Sequence, residues 1–179
     1  MKRTTLCIAV FAFIMAVSSG TVAQKAPKGS LSEEFRESLT ELPPKTTLSK
    51  RGTIYVPAYS SIFVDSRAGR VSLATTLTIH NTSAKLPLVI ERIDYFDSAG
   101  NAVKQFLDSP IALRPYATVA ILVTKEIGNG GMGANFNVIW AASAAVPVPA
   151  VEAIMMGRLG TNSYSIVSPG RSIDTVESR

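Results

Sequence analysis

One loop of the chain has the spacing of a dinucleotide-binding motif. Residues 128–133 read Gly-Asn-Gly-Gly-Met-Gly, which matches G-x-G-x-x-G literally and follows a predicted strand. In a nucleotide site these glycines let the backbone approach a pyrophosphate at the start of a helix. The next residues, 135–140, alternate with the two-residue period of a strand and show no helical pattern. We therefore interpret 128–133 as a flexible loop between strands and expect no cofactor there.

The sequence has few side chains of the types that catalyse hydrolysis or bind a metal. His80 is the only histidine and stands beside a turn, so we expect a solvent-facing or turn-bonded imidazole. Nucleophilic catalysis needs a base beside its nucleophile, and zinc needs several nitrogen or sulfur ligands. The carboxylates open to acid–base chemistry are Asp94, Asp97, Asp108 and Glu152, and no motif pairs them. The sequence predicts no catalytic set, no metal and no cofactor.

The strand at 135–140 carries two amides at strand spacing. Phe136, Val138 and Trp140 fall on one face, and Asn135 and Asn137 fall on the other. Two amides on an exposed sheet can hydrogen-bond a ligand, although polar outward residues of any half-buried strand give the same pattern. The candidate binding surface consists of Asn135, Asn137, Tyr95 and Arg171.

The charge of the chain is modest and dispersed. Its 179 residues include 18 Lys and Arg against 13 Asp and Glu, a formal net charge of +5, and 46% are hydrophobic. This composition excludes a disordered polyelectrolyte and fits one globular domain with short extensions. The basic residues are scattered singly, whereas nucleic-acid binding needs a cluster that neutralises several phosphates. We therefore expect no nucleic-acid partner.

Residues 1–23 have the pattern of a secretory signal peptide. Lys2 and Arg3 form a positive start, and the apolar run 6–17 follows, with small residues up to Ala23. The run of 12 residues is shorter than the roughly 20 that span a bilayer. We expect cleavage after Ala23, a periplasmic or secreted protein, and no stable membrane insertion after cleavage. The alternative is a protein anchored by an uncleaved signal.

A linker with one short amphipathic helix is predicted over 24–50. Ser30 stands three residues before Glu33, the capping-box spacing at the start of a helix. Apolar residues then recur at helical spacing, namely Leu31, Phe35, Leu39 and Leu42. We expect this helix to dock on the domain or to fray.

Short strands separated by turn signals fill the rest of the chain. Seven to nine such strands over 51–173 predict an all-β fold, an immunoglobulin-like antiparallel β-sandwich. The segment 97–101 has the chemistry of a hairpin turn, and 151–156 is compatible with either a strand or a short helix. Residues 174–179 are predicted as a C-terminal tail.

Several motifs in the same order resemble one bacterial exported family, known only as domain of unknown function family thirty-one twenty-four. They cover 54–60, 73–82, 93–100, 133–140, 152–157 and 170–173. The resemblance implies a bacterial source, an envelope location and a compact β-rich domain. It implies no activity. Many members carry a lipoprotein cysteine after the signal, which Cys7, early in the apolar run, does not provide.

The first functional hypothesis is a non-enzymatic interaction or accessory module of the bacterial envelope, with an envelope protein as partner. The alternative is a binder of a small ligand, of unknown identity, or of a carbohydrate, through Tyr55, Tyr59 and Tyr95 together with the amide face. A second alternative is a hydrolase built on carboxylates.

Overall fold

Antiparallel strands make up most of the chain that the computed structural model describes, namely residues 30–43, 45–67, 69–123, 130–144 and 146–177. Two short helices come first, the α-helix α1 at Leu31–Glu34 and a 3-10 helix at Arg36–Ser38. Eleven strands follow within the described residues. They are β1 (Lys50–Pro57), β2 (Ser61–Phe63), β3 (Arg70–His80), β4 (Leu88–Phe96), β5 (Ala102–Gln105), β6 (Ile111–Leu113), β7 (Thr118–Val123), β8 (Asn135–Ala142), β9 (Ala150–Leu159), β10 (Asn162–Pro169) and β11 (Arg171–Glu177).

The strands form two antiparallel sheets that pack as a sandwich. The six-stranded sheet has the order β11-β1-β8-β4-β5, and β6 pairs with the start of β4. The five-stranded sheet has the order β10-β9-β3-β2, and β7 pairs with the second half of β3. The predicted all-β sandwich is confirmed. The strand number exceeds the predicted seven to nine, since β2 and β6 span only three residues each.

The core lies between the inner faces of the two sheets. Phe136, Val138 and Trp140 of β8 are fully buried, as their two-residue period requires. They share one apolar cluster with Leu77 of β3 and Met155 of β9 in the opposite sheet. Burying a side chain of this size contributes roughly 1.5–3 kcal/mol, so this layer holds the sheets together.

The N-terminal helix docks on the domain but is shorter than predicted. It ends at Glu34, and Ser30 makes no capping hydrogen bond through its side chain. Leu39 instead bridges to Leu113 of β6, and the backbone N–H of Thr40 donates to Ala112 O at 2.9 Å. Pairing with β6 satisfies backbone groups that a longer helix would otherwise bond internally. The predicted signal, 1–23, lies outside the described residues, within which no helix is long and apolar enough to cross a membrane.

The last three strands differ most from the sequence expectations. Segment 151–156 is part of strand β9, because β3 and β10 flank it on both sides and override its helical composition. β10 ends at Pro169, and the chain then crosses to the other sheet as β11. Residues 174–177, expected in the tail, belong to β11, which pairs with β1.

Candidate functional site

A row of polar side chains crosses the outer face of the six-stranded sheet. Cross-strand pairing places Arg171 of β11 opposite Tyr55 of β1, Tyr55 opposite Asn137 of β8, Asn137 opposite Asp94 of β4, and Asp94 opposite Gln105 of β5. Directly paired residues share a face, and the neighbouring residues along β1, β8 and β4 point into the core. These five side chains, the polar row, therefore face away from the core.

Asn137 stands at the centre of the polar row with an unpaired acceptor. Its Oδ1 is buried and has no hydrogen-bond partner among the described residues. A buried acceptor left unpaired costs about 1–3 kcal/mol. Because the atom is closed off from solvent, a donor that approaches over the sheet face can reach it only when the Asn137 side chain turns outward.

Asp94 is the buried charge of the row. It is only 7% exposed, and its carboxylate accepts from Arg92 Nε at 2.7 Å and 2.8 Å to its two oxygens. The Arg92 side chain is itself about half exposed. One guanidinium neutralises this carboxylate and leaves several of its lone-pair sites for further donors.

Apolar side chains border the polar row. Asn135 lies one row away, between Pro57 of β1 and Phe96 of β4, and these three residues are half-buried. On the other side, half-buried Ile139 lies between Thr53 and Arg92. Farther along, Leu42 and Leu48 of the N-terminal segment pack on Val89, Ala112 and Ala141 and cover that end of the face. The open part of the face is therefore the polar row with its apolar borders.

Tyr95 lies in the core, apart from the other three residues of the sequence-based surface. It is 1% exposed, its ring centroid lies 4.9 Å from that of Phe136, and its hydroxyl lies 3.3 Å from Ser60 Oγ. It follows Asp94 in β4, so it points to the opposite side. Asn135, Asn137 and Arg171 do lie on one outer face. Tyr55, which the carbohydrate alternative placed with the amide face, lies beside them, whereas sequence reasoning missed Asp94 and Gln105 as their neighbours.

Hydrogen bonds to Ser98 and Ser60 hold the described part of the glycine-rich loop, 130–133, in place. Ser98 Oγ donates to Gly130 O and accepts from Gly133 N, both at 2.8 Å. The Ser60 N–H donates to Gly131 O at 2.9 Å. A side chain at Gly130 would collide with the Tyr95 hydroxyl. Close contacts therefore account for Gly130 and Gly131, and Gly131 also has a φ of +81°; Gly128 and Asn129 lie outside the described residues.

The residues weighed for catalysis are dispersed. His80 Nδ1 lies 2.8 Å from Thr118 Oγ1, a cross-strand hydrogen bond. Asp94 and Glu152 lie on the outer faces of different sheets, and Asp108 is an exposed loop residue. Among the described residues, no three His, Cys, Asp or Glu side chains are grouped to hold a metal ion.

Asp97 serves the hairpin turn between β4 and β5. Its Oδ1 accepts from the N–H groups of Ala99 and Asn101, and its Oδ2 accepts from the Asn101 amide at 3.0 Å. The Asn101 side chain and these backbone donors stabilise the carboxylate, so the pKa of Asp97 lies below its ordinary value of 3.8.

The five-stranded sheet presents a different outer face. Val167 of β10, Ile154 of β9, Thr76 of β3 and Leu122 of β7 lie in one cross-strand row. Val167 is 55% exposed, Leu122 42%, and Met156, the next outward residue of β9, 60%. We name Leu122, Ile154, Met156 and Val167 the apolar band. Two charged residues of β9 flank the apolar band, Glu152 on one side and Arg158 on the other.

Comparison with known proteins identifies the family. The two antiparallel sheets define a small all-β domain, and the sequence 51–173 matches the family described as "Protein of unknown function (DUF3124)". The chain therefore belongs to this family. A solved structure titled "Crystal Structure of Thermotoga maritima 1070" is similar over 67% of this chain and 92% of that chain, with 8% identity and a TM-score of 0.41. No curated protein matches the sequence.

Proposed function

We propose that this protein is a non-enzymatic interaction module of the bacterial envelope that docks a partner protein on the apolar band. The observation that carries this proposal is the exposure of Val167, Leu122 and Met156 on one outer sheet face. Contiguous exposed apolar side chains on a soluble domain are typical of protein–protein interaction sites. Their burial against a partner provides the driving force for association.

The band also specifies the chemistry of its partner. Its centre is uncharged, with Thr76 of β3 beside Ile154 and Ala74 beside Met156. Glu152 and Arg158 lie at opposite ends. A matching surface is therefore flat and apolar at its centre, with a basic group towards Glu152 and an acidic group towards Arg158. This arrangement has the apolar core and polar rim of protein interfaces, and the two end charges set the orientation.

Two further considerations support the non-enzymatic and envelope parts of the proposal. The carboxylates needed by a hydrolase lie on different sheets, in a turn or in a loop, so the described residues offer no acid–base pair for glycoside cleavage. The secretory pattern of 1–23 supports export. Fractionation of bacteria producing the full chain tests this part, and the protein in the cytoplasmic fraction at its full mass would contradict export.

Site-specific photo-crosslinking in bacteria tests the docking face. With p-benzoylphenylalanine at position 156 of the full chain, we expect one discrete adduct larger than the protein. The same probe at exposed Val103, on β5 of the other sheet, provides the matched control and should give no such adduct. Val167→Glu puts a charge into the band and should lower the adduct yield by about tenfold.

Three outcomes would contradict the proposal. One is an adduct whose yield is the same from positions 156 and 103. Another is an adduct that Val167→Glu leaves unchanged while the variant keeps its thermal midpoint. An adduct containing only a second copy of this chain would show self-association in place of a partner protein.

A further inference from the structure

We infer that the polar row on the outer face of the six-stranded sheet binds a neutral carbohydrate. This site lies on the opposite outer face from the apolar band, so the inference does not depend on the proposed docking surface. It rests on the chemistry of the row, its apolar borders and its balance of charge.

The polar row is extended and continuous. It takes one side chain from each of five adjacent strands, β11, β1, β8, β4 and β5. Neighbouring strands lie roughly 4.8 Å apart, so the row spans about 19 Å across the sheet. A shape of this kind fits a linear oligomer laid across the strands better than a compact metabolite.

The hydrogen-bonding groups of the row suit hydroxyls. Asn137 Oδ1 is buried and lacks a donor within the described residues, so it can meet a ligand once its amide turns outward. Within the same residues, the Asp94 carboxylate accepts only from Arg92. Both need donors, whereas the guanidinium of Arg171 needs an acceptor. A hydroxyl is both a donor and an acceptor, so one polyhydroxylated ligand satisfies both kinds of group along the same line.

The apolar borders supply the other half of carbohydrate recognition. Pro57 and Phe96 flank the row on one side and Ile139 on the other, all half-buried. A pyranose ring has an apolar C–H face between its hydroxyls. That face can pack on the rings of Pro57 and Phe96 and on the side chain of Ile139. Apolar surface with a few convergent polar groups is the usual composition of a ligand site.

The charges on this face cancel. Arg92 pairs with Asp94 at 2.7 Å, and Arg51 pairs with Glu91 at 3.2 Å. Along β11, Arg171 and Asp174 contribute one charge of each sign. These described side chains carry no net charge, which favours a neutral ligand over a phosphate or a uronic acid.

Titration of the protein with neutral oligosaccharides tests the inference. We name maltotetraose, cellotetraose and chitotetraose as probes, followed by amide-detected NMR and calorimetry. At least one should bind with a millimolar or lower dissociation constant and shift the side-chain amide of Asn137. Asn137→Leu should weaken that binding by about tenfold without lowering the thermal midpoint, because it removes an unpaired buried acceptor.

A matched amide on the other sheet gives the control. Asn162 of β10 is exposed and far from the row, and Asn162→Leu should leave binding unchanged. The inference is overturned if none of the three probes binds up to about 10 mM. It is equally overturned if Asn137→Leu binds as wild type does, or if an acidic probe, hexagalacturonate, binds more tightly than every neutral one.

Discussion

The indole of Trp140 lies against the backbone of Gly52. The two residues are paired across β1 and β8, and a Cβ placed at Gly52 would stand 2.8 Å from the indole Nε1 and 2.9 Å from Cε2. Trp140 is fully buried, and its Nε1 has no partner among the described residues. The largest side chain of the core therefore fits because its cross-strand neighbour has none.

Gly52→Ala tests this relationship. The added methyl group would overlap the indole in a packed core, so we expect a loss of about 1–3 kcal/mol in the free energy of unfolding. Urea denaturation measures it. Gly133→Ala is the control, because a Cβ there makes only an ordinary 3.4 Å contact with Ser98, and it should change little.

The pair should also be coupled. In a Trp140→Leu background the indole is gone, so Gly52→Ala should cost much less than in wild type. A double-mutant cycle by urea denaturation measures this coupling. Strictly additive effects would show that Gly52 is required for some reason other than the indole.

Asn81 is a second buried residue whose contacts stabilise the fold, and we expect its replacement to lower the free energy of unfolding. It is 3% exposed; its Nδ2 donates to the carbonyl oxygens of Leu86, Leu113 and Arg114 at 2.9, 3.2 and 2.9 Å. Asn81→Ala leaves these acceptors short of donors and should cost roughly 2–4 kcal/mol, measured by thermal denaturation. Asn81→Asp should cost more, because its carboxylate would face three carbonyls. An Asn81→Asp protein as stable as wild type would contradict this role.

The sequence predicted the fold best where one pattern had one explanation. The strict alternation of 135–140 gave the orientation of β8, and the turn chemistry of 97–101 gave the β4–β5 hairpin, where Gly100 has a φ of +84°. In β4 the alternation fails, because a register shift between Ile90 and Arg92 brings both Ile90 and Ile93 into the core. The two-residue period holds again from Arg92 to Phe96, with Ile93 and Tyr95 inward, but it cannot be carried through the shift from Ile90.

The polar row could be predicted only in part, because it depends on which strands are neighbours. Asn135 and Asn137 lie on one strand, so their common face followed from spacing alone. Tyr55 and Asp94 join Asn137 through the pairing of β1 and β4 with β8. Such register between distant segments has no local signal in a single sequence. Arg171 reaches the row because β11 leaves the sheet of β10, a change of sheet that local propensity does not encode.

The lowered pKa of Asp97 predicts how the stability of the protein changes at acid pH. Its pKa is lower in the folded protein than the ordinary 3.8, because Asn101 and the turn backbone donate to its carboxylate. A lowered pKa contributes stability that is complete above about pH 4 and is lost as the pH falls through the folded value. We therefore expect wild type to lose more stability below pH 4 than Asp97→Asn does, as measured by urea denaturation over pH.

NMR titration of the Asp97 carboxyl provides the direct measurement. A midpoint at or above 3.8 would contradict the hydrogen-bond argument. Asn101→Ala removes the side-chain donor, the largest cause of the lowered pKa, and should move the midpoint towards the ordinary value.

Gly170 permits the passage of the chain from one sheet to the other. A Cβ there would stand 2.6 Å from Ile54 Cγ2 and 2.8 Å from Val151 O, while its own N–H donates to that oxygen at 2.7 Å. In Gly170→Ala the chain must move away from β1, so we expect β11 to loosen locally. Amide hydrogen exchange of 171–176 should become faster, with a global loss of about 1–3 kcal/mol.

The faster amide exchange in Gly170→Ala should be confined to β11, at one end of the β10–β11 segment. Gly160, at the β9–β10 turn, has a φ of +61° and open space around it, and asparagine tolerates this conformation. Gly160→Asn is therefore the matched control and should leave exchange in β11 unchanged. Since Arg171 follows Gly170 directly, Gly170→Ala should also weaken any carbohydrate bound at the polar row. Unchanged protection of 171–176 in Gly170→Ala would mean that β11 is held by its pairing with β1 alone.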